Sequence, residues 1–117
     1  MKRILTIVAV LLVAISMPLA AEKFEGYLID EMCSAKVVEG GADAAKAHTK
    51  DCALMPKCKA SGYGVVIGDG KFLKFDDDGD RMAAKMLGFS SDKDNIRTVI
   101  NGKLNGDTID VVAVQLN

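Results

Sequence analysis

Two short turn signals, Gly68-Asp69-Gly70 and Asn105-Gly106, each separate a pair of β-rich runs, and they restrict this chain more than any other feature of it. Gly accepts the positive φ of a tight hairpin, and Asn-Gly suits a two-residue type I′ turn better than almost any other pair. Residues 63–67 and 71–75 therefore read as one hairpin, and residues 95–104 and 107–116 as a second. Ahead of both, Phe24-Glu25-Gly26-Tyr27-Leu28-Ile29-Asp30 reads as a first strand, with a bulge or sharp coil at its internal Gly. Between the hairpins Asp76-Asp77-Asp78-Gly79-Asp80 is a turn, and Asp80 is placed to cap a helix over 81–87 that Gly88 stops. Met82, Met86 and Phe89 fall on one face of that helix, the face expected to lie on the sheet.

Residues 31–62 have a different character. Gly40-Gly41 is a break, residues 42–50 are rich in helix formers, and all three Cys of the chain fall inside the segment. Its Ala-rich content offers little to bury, so something other than a large apolar face must hold it. The expected order is strand, Cys-bearing excursion with a short helix, strand, strand, helix, strand, strand. Five strands with one helix between the third and fourth is the order of an OB-fold barrel, a mainly β fold whose closure removes most edge exposure. An open five-stranded α+β sheet is the alternative that the same periodicities allow.

The chain has 117 residues, enough for one small domain and not for two cores. Lys2 and Arg3 precede an apolar run over 4–15 broken only by Thr6, then Pro18 and Ala20-Ala21-Glu22. A positive head, a short apolar core, a helix breaker and small residues at a cut site are the features of an export signal, with cleavage expected after Ala21. The run is shorter than the roughly 20 residues a membrane-spanning helix needs, so no stable anchor is expected after cleavage. The mature domain, residues 22–117, is then periplasmic or extracellular. It carries 13 Lys+Arg against 16 Asp+Glu, a net charge of −3. Without clustered Lys and Arg it has no electrostatic reason to bind nucleic acid.

Cys33, His48, Cys52 and Cys58 lie in one 26-residue stretch. Three thiolates and an imidazole make a set that Zn²⁺ or Cu⁺ accepts. If residues 44–52 are helical, His48 and Cys52 stack on one face and point at one ion. Met32 and Met55 border the set and are soft ligands for Cu⁺. Outside the cytoplasm, one structural disulfide plus one spare Cys competes directly with this reading, and three pairings are open. A crosslink across such an excursion stabilises by on the order of 3 kcal/mol in the loop-entropy model. A redox-active pair, Cys52 with Cys58, is the third reading, weakened by the lack of a Cys-x-x-Cys motif. Lys46, Lys50, Lys57 and Lys59 would lower thiol pKa values if close in space, and otherwise form a solvated face.

The acidic run 76–80 lacks an EF-hand's distal Glu, since Leu87 stands at the twelfth position, so it reads as a turn and helix cap. No nucleophile motif or phosphate-cradling loop is present, and the chain is not expected to be an enzyme. OB barrels commonly present ligands on the face of strands two and three, which makes Tyr63, Phe72 and Lys74 candidates for a small-ligand surface.

Asp30-Glu31-Met32-Cys33, the later Cys52 and Cys58, Lys59-Ala60-Ser61-Gly62-Tyr63 running into a strand, and the final hairpin over 104–111 together resemble a group of small exported bacterial proteins of uncharacterised function. The resemblance implies an OB-fold-like domain with a Cys-bearing insertion after strand one, and covers nearly all of 22–117. That group supplies no activity. Its members often have a His soon after the first Cys, where this chain has Ser34-Ala35-Lys36-Val37. Two functions follow as expectations: a binding module for a soft metal ion or small ligand, and a disulfide-stabilised structural or interaction protein of the bacterial envelope.

Overall fold

A computed structural model describes residues 21–117. The expected export signal, residues 1–21, lies outside the described residues apart from Ala21. Among the described residues no helix is long and apolar enough to cross a membrane.

The architecture is mainly β, a closed five-stranded barrel with helices packed outside it. Its strands are β1 (Glu22–Asp30), β2 (Tyr63–Ile67), β3 (Phe72–Phe75), β4 (Arg97–Asn105) and β5 (Thr108–Leu116). They close in the order β1-β2-β3-β5-β4, which removes the open α+β sheet as an alternative. β1 makes the closure possible because it serves two neighbours. Its first part pairs with β4, its last part with β2, and Gly26 stands in both ladders, opposite Thr98 and Ile67. The strand thus coils at the Gly, as its sequence suggested. The remaining seam is a short parallel pairing of Lys74 and Phe75 with Thr108 and Ile109.

Alternating side chains from all five strands fill the barrel with Leu28, Tyr63, Val65, Leu73, Phe75, Ile100, Ile109 and Val111. Leu28, Tyr63, Phe75, Ile100 and Ile109 are at most 1% exposed. Among the described residues four helices accompany the strands: α1 (Glu31–Ala47), α2 (Lys50–Ala53), α3 (Pro56–Ser61) and α4 (Asp77–Phe89).

Three local expectations are corrected. The second hairpin turns one residue later than Asn105-Gly106, because Asn105 pairs with Thr108 and leaves Gly106 and Asp107 as the loop. Gly106 has φ 65° and Asp107 is not in the left-handed region, which is the type II′ pattern rather than I′. Asp76, not Asp80, caps α4: its side chain accepts from the Gly79 N–H at 2.9 Å and from the Val111 N–H at 3.2 Å. Starting four residues earlier rotates the buried face to Gly79, Ala83 and Leu87, while Met82 and Met86 flank it and Phe89 is 80% exposed. Gly88 lies inside α4 rather than ending it.

The excursion is more helical than composition suggested. The break is at Gly41 (φ 77°), as expected, but residues 31–40 are helical too. α1 lies on the outer face of the barrel. There Ile29, Val37, Ala45 and Val66 form a second, small core, with Tyr27, Cys33 and Phe72 packed against it.

Candidate metal centre

The site lies where β1 ends and β2 begins, and Asp30 organises it. As the last residue of β1 it is also the N-cap of α1, its Oδ2 accepting from the Cys33 N–H at 3.0 Å. That bond satisfies one of the free donors of the helix start and fixes Cys33 in the first turn, next to the strand end. Helix α1 kinks at Gly41 and ends at Ala47, and the His48 N–H bonds back to the Ala44 carbonyl at 3.1 Å. His48 is extended, and Thr49 then caps a new helix, its Oγ1 accepting from the Cys52 N–H at 3.1 Å. His48 and Cys52 are therefore not neighbours on one helix face, as expected from their spacing. Two successive caps bring them together instead.

Cys58 arrives on α3, which Pro56 starts. Ser61 Oγ donates to the Cys58 carbonyl at 2.6 Å and accepts from the Met32 N–H at 3.1 Å, while the Glu31 N–H donates to the Gly62 carbonyl at 2.8 Å. These bonds tie α3 to the start of α1. The Tyr63 hydroxyl adds a tie from the barrel core to α2, donating to the Ala53 carbonyl at 2.8 Å.

The outcome is two overlapping groups of metal-type donors. One atom each from Cys33, His48 and Cys52 lie within 4.8 Å of one another, and so do one each from Asp30, Cys33 and Cys58. His48 Nε2 stands 2.7 Å from Asp30 Oδ1, with the two side chains 9% and 0% exposed. All four residues singled out in the sequence thus converge. Asp30 was missed because its place at the end of a strand reads as a boundary; the signal that could have found it is an Asp directly ahead of a Glu-led helix start.

The electrostatics of the cluster oppose free thiolates. Burial pushes the Asp30 carboxyl up, but the hydrogen bonds with His48 and from the Cys33 backbone N–H, with the His48 charge, hold it below its usual value. Its negative charge then acts on its neighbours. Burial, followed by the Asp30 charge, pushes the Cys33 thiol up to about 12. The same two causes raise Cys58, which is 5% exposed. A bound cation reverses this balance, since it binds thiolates and releases their protons. The nearby lysines do not offset this at Cys33 or Cys58: Lys46, Lys57 and Lys59 are exposed, and the Lys50 ammonium donates to the Ser90 carbonyl at 2.8 Å.

Cys33, Cys52 and Cys58 are all free, so the expected structural disulfide is not formed. Cys52 and Cys58, the pair considered for redox work, fall in different donor groups, with Cys33 common to both. The expected small-ligand surface is also redistributed. Tyr63 is fully buried in the barrel core and presents nothing to solvent, since its strand turns that side chain inward. Phe72 packs on the outer core, and Lys74 pairs with Glu31 at 2.5 Å. The better-formed hollow is elsewhere, a cavity of about 120 Å³ between α1 and the outer face of β1 and β2, lined by Tyr27, Val37, Ala45, Val66 and Arg97. The Arg97 guanidinium lies over the Tyr27 ring, 4.8 Å from its centroid. The acidic run 76–80 is consumed by the α4 cap, a contact from Asp80 to the Tyr63 N–H and an Asp78–Arg81 ion pair.

Comparison with known protein families, with curated proteins and with solved structures gave no significant match.

Proposed function

We propose that this chain is an exported binding module in which an OB-fold-like barrel carries a helical insertion that holds a soft metal ion, Zn²⁺ or Cu⁺, and that it is not an enzyme. The observation that carries the reading is the convergence of Cys33, His48 and Cys52 within 4.8 Å, produced by two successive helix caps. Sulfur and imidazole donors select borderline and soft ions over Mg²⁺ or Ca²⁺. The His48–Asp30 contact is the kind of outer carboxylate that fixes the ring of a metal-binding His. The OB-fold likeness is supported by the strand order, the parallel β3–β5 seam and the position of α4 between β3 and β4. Export is supported by the sequence pattern of residues 1–21.

Metal analysis and thiol counting on the purified protein test it. Zn or Cu should survive gel filtration, Cys52→Ser or His48→Ala should remove the ion that those residues hold with the fold retained, and three thiols should react after chelation. A protein that takes up neither ion and exposes one thiol overturns the proposal in favour of a disulfide-stabilised envelope protein.

A further inference from the structure

The two donor groups share one atom, the sulfur of Cys33. We infer that the centre takes two soft metal ions, with the Cys33 thiolate bridging one ion on His48 and Cys52 and a second on Asp30 and Cys58. This rests on the metal-binding reading above and extends it from one ion to two.

Three observations lead there. Cys58 stands with Asp30 and Cys33 and not in the group of His48 and Cys52, so a single four-coordinate ion does not use the donors as they are placed. Each trio instead offers three donors around its own position. The second observation is charge. A divalent ion on Cys33, Cys52 and a neutral imidazole is already balanced by two thiolates. Asp30 and Cys58, 0% and 5% exposed, are then left without a cation of their own. A buried carboxylate without a counter-charge is costly, and a second cation supplies one. With two divalent ions the charges close: three thiols release their protons to solvent, and three thiolates with one carboxylate balance four positive charges. The third observation is what Asp30 faces. A carboxylate has about four acceptor sites, and besides the His48 ring and the Cys33 N–H, Asp30 meets the thiols of Cys33 and Cys58, whose protons a bound ion would replace.

The test is stoichiometry on the full chain, reduced and titrated with Zn²⁺ in native mass spectrometry, then loaded with ¹¹³Cd²⁺ for NMR. Two Zn²⁺ per chain are expected, and two ¹¹³Cd resonances split by mutual coupling through the shared sulfur. Asp30→Asn keeps an oxygen for the Cys33 N–H, and with Cys58→Ser it should drop the count from two to one while the ion on His48 and Cys52 remains. Cys33→Ser should abolish the coupling. If Asp30→Asn does not fold, as judged by circular dichroism, Cys58→Ser and the unaltered chain decide the matter. One ion in the unaltered chain overturns the bridged pair and leaves the single-ion reading standing; none overturns both. Two uncoupled resonances that survive Cys33→Ser overturn the bridge.

Discussion

Asp80 lies on α4 but serves β2. Its carboxylate accepts from the Tyr63 N–H at 2.8 Å, at the point where the chain leaves the insertion and enters the barrel. Burial raises its carboxyl above the ordinary value, and neither the Tyr63 N–H nor the Lys74 charge offsets that fully. The folded protein therefore holds this proton more tightly than the unfolded chain does. The contribution of Asp80 to stability is then largest below the ordinary value of 3.8, falls as pH rises through the raised value, and is level above it. Asp30 has the opposite sign, since its carboxyl is lowered and its contribution is lost as pH falls. Asp80→Asn keeps an acceptor for the Tyr63 N–H and removes the charge, so urea midpoints should rise at pH 7 and change little near pH 3. Asp80→Ala leaves the N–H without a partner and should cost about 1–3 kcal/mol at either pH. Equal effects of the two substitutions at pH 7 would contradict this account. None of it was legible in the sequence, where the same Asp looked like a helix cap; the true cap, Asp76, is distinguished only by its second bond, to Val111 on a strand 35 residues away.

At the scale of elements, the strands were readable and the insertion only partly so. β-rich runs flanking Gly-bearing turns fix hairpins locally, which is why β2, β3, β4 and β5 fall where the turns place them. The first half of α1 gave no such signal. Val37 is its one buried side chain, so no apolar stripe announces it, and its stability comes from the Asp30 cap and from packing on the barrel. For the same reason the convergence of Cys33, His48, Cys52 and Cys58 could be suspected from proximity in sequence, but the two caps that produce it could not. The insertion returns to the barrel through Gly62, at φ 87° and ψ −176°, a region essentially reserved for Gly. A Cβ there would also sit 2.6 Å from Asp80 Oδ2. Gly62→Ala should therefore lower stability by about 1–3 kcal/mol, and the Tm of a domain this size by on the order of 10 °C. It should also weaken metal uptake, because Gly62 directly follows α3 and its carbonyl holds the Glu31 N–H. A Tm within a degree of the unaltered protein would show that the chain re-routes there without strain.

For the whole molecule, the division of the apolar interior decides how the proposed metal binding would couple to folding. Among the described residues the barrel core holds thirteen buried side chains, from the strands, the helices against them and Ile96 just before β4, whereas the outer core under α1 holds four. A metallodomain with no core of its own unfolds when its ion is removed. Here the barrel has its own core, into which the insertion sends only Ala53 and Leu54, and the rest of the insertion depends on a handful of apolar contacts, helix caps and the cluster around Asp30. Chelation should therefore leave the β-barrel signal in circular dichroism intact while amide exchange accelerates across residues 31–62, the local opening expected of the least buried part of a fold. Reloading should slow that exchange and raise stability by about 2.7 kcal/mol at free metal a hundredfold above Kd. Protection that changes uniformly over barrel and insertion would mean that the two fold as one unit and that the outer core is not the weak joint. The expected asymmetry also ties the chemistry to the fold: a rigid barrel presents the end of β1 and the start of β2 as fixed points. On the proposed metal-binding reading, the insertion between them loosens to admit an ion and tightens around it without disturbing the strands that hold Asp30 in place.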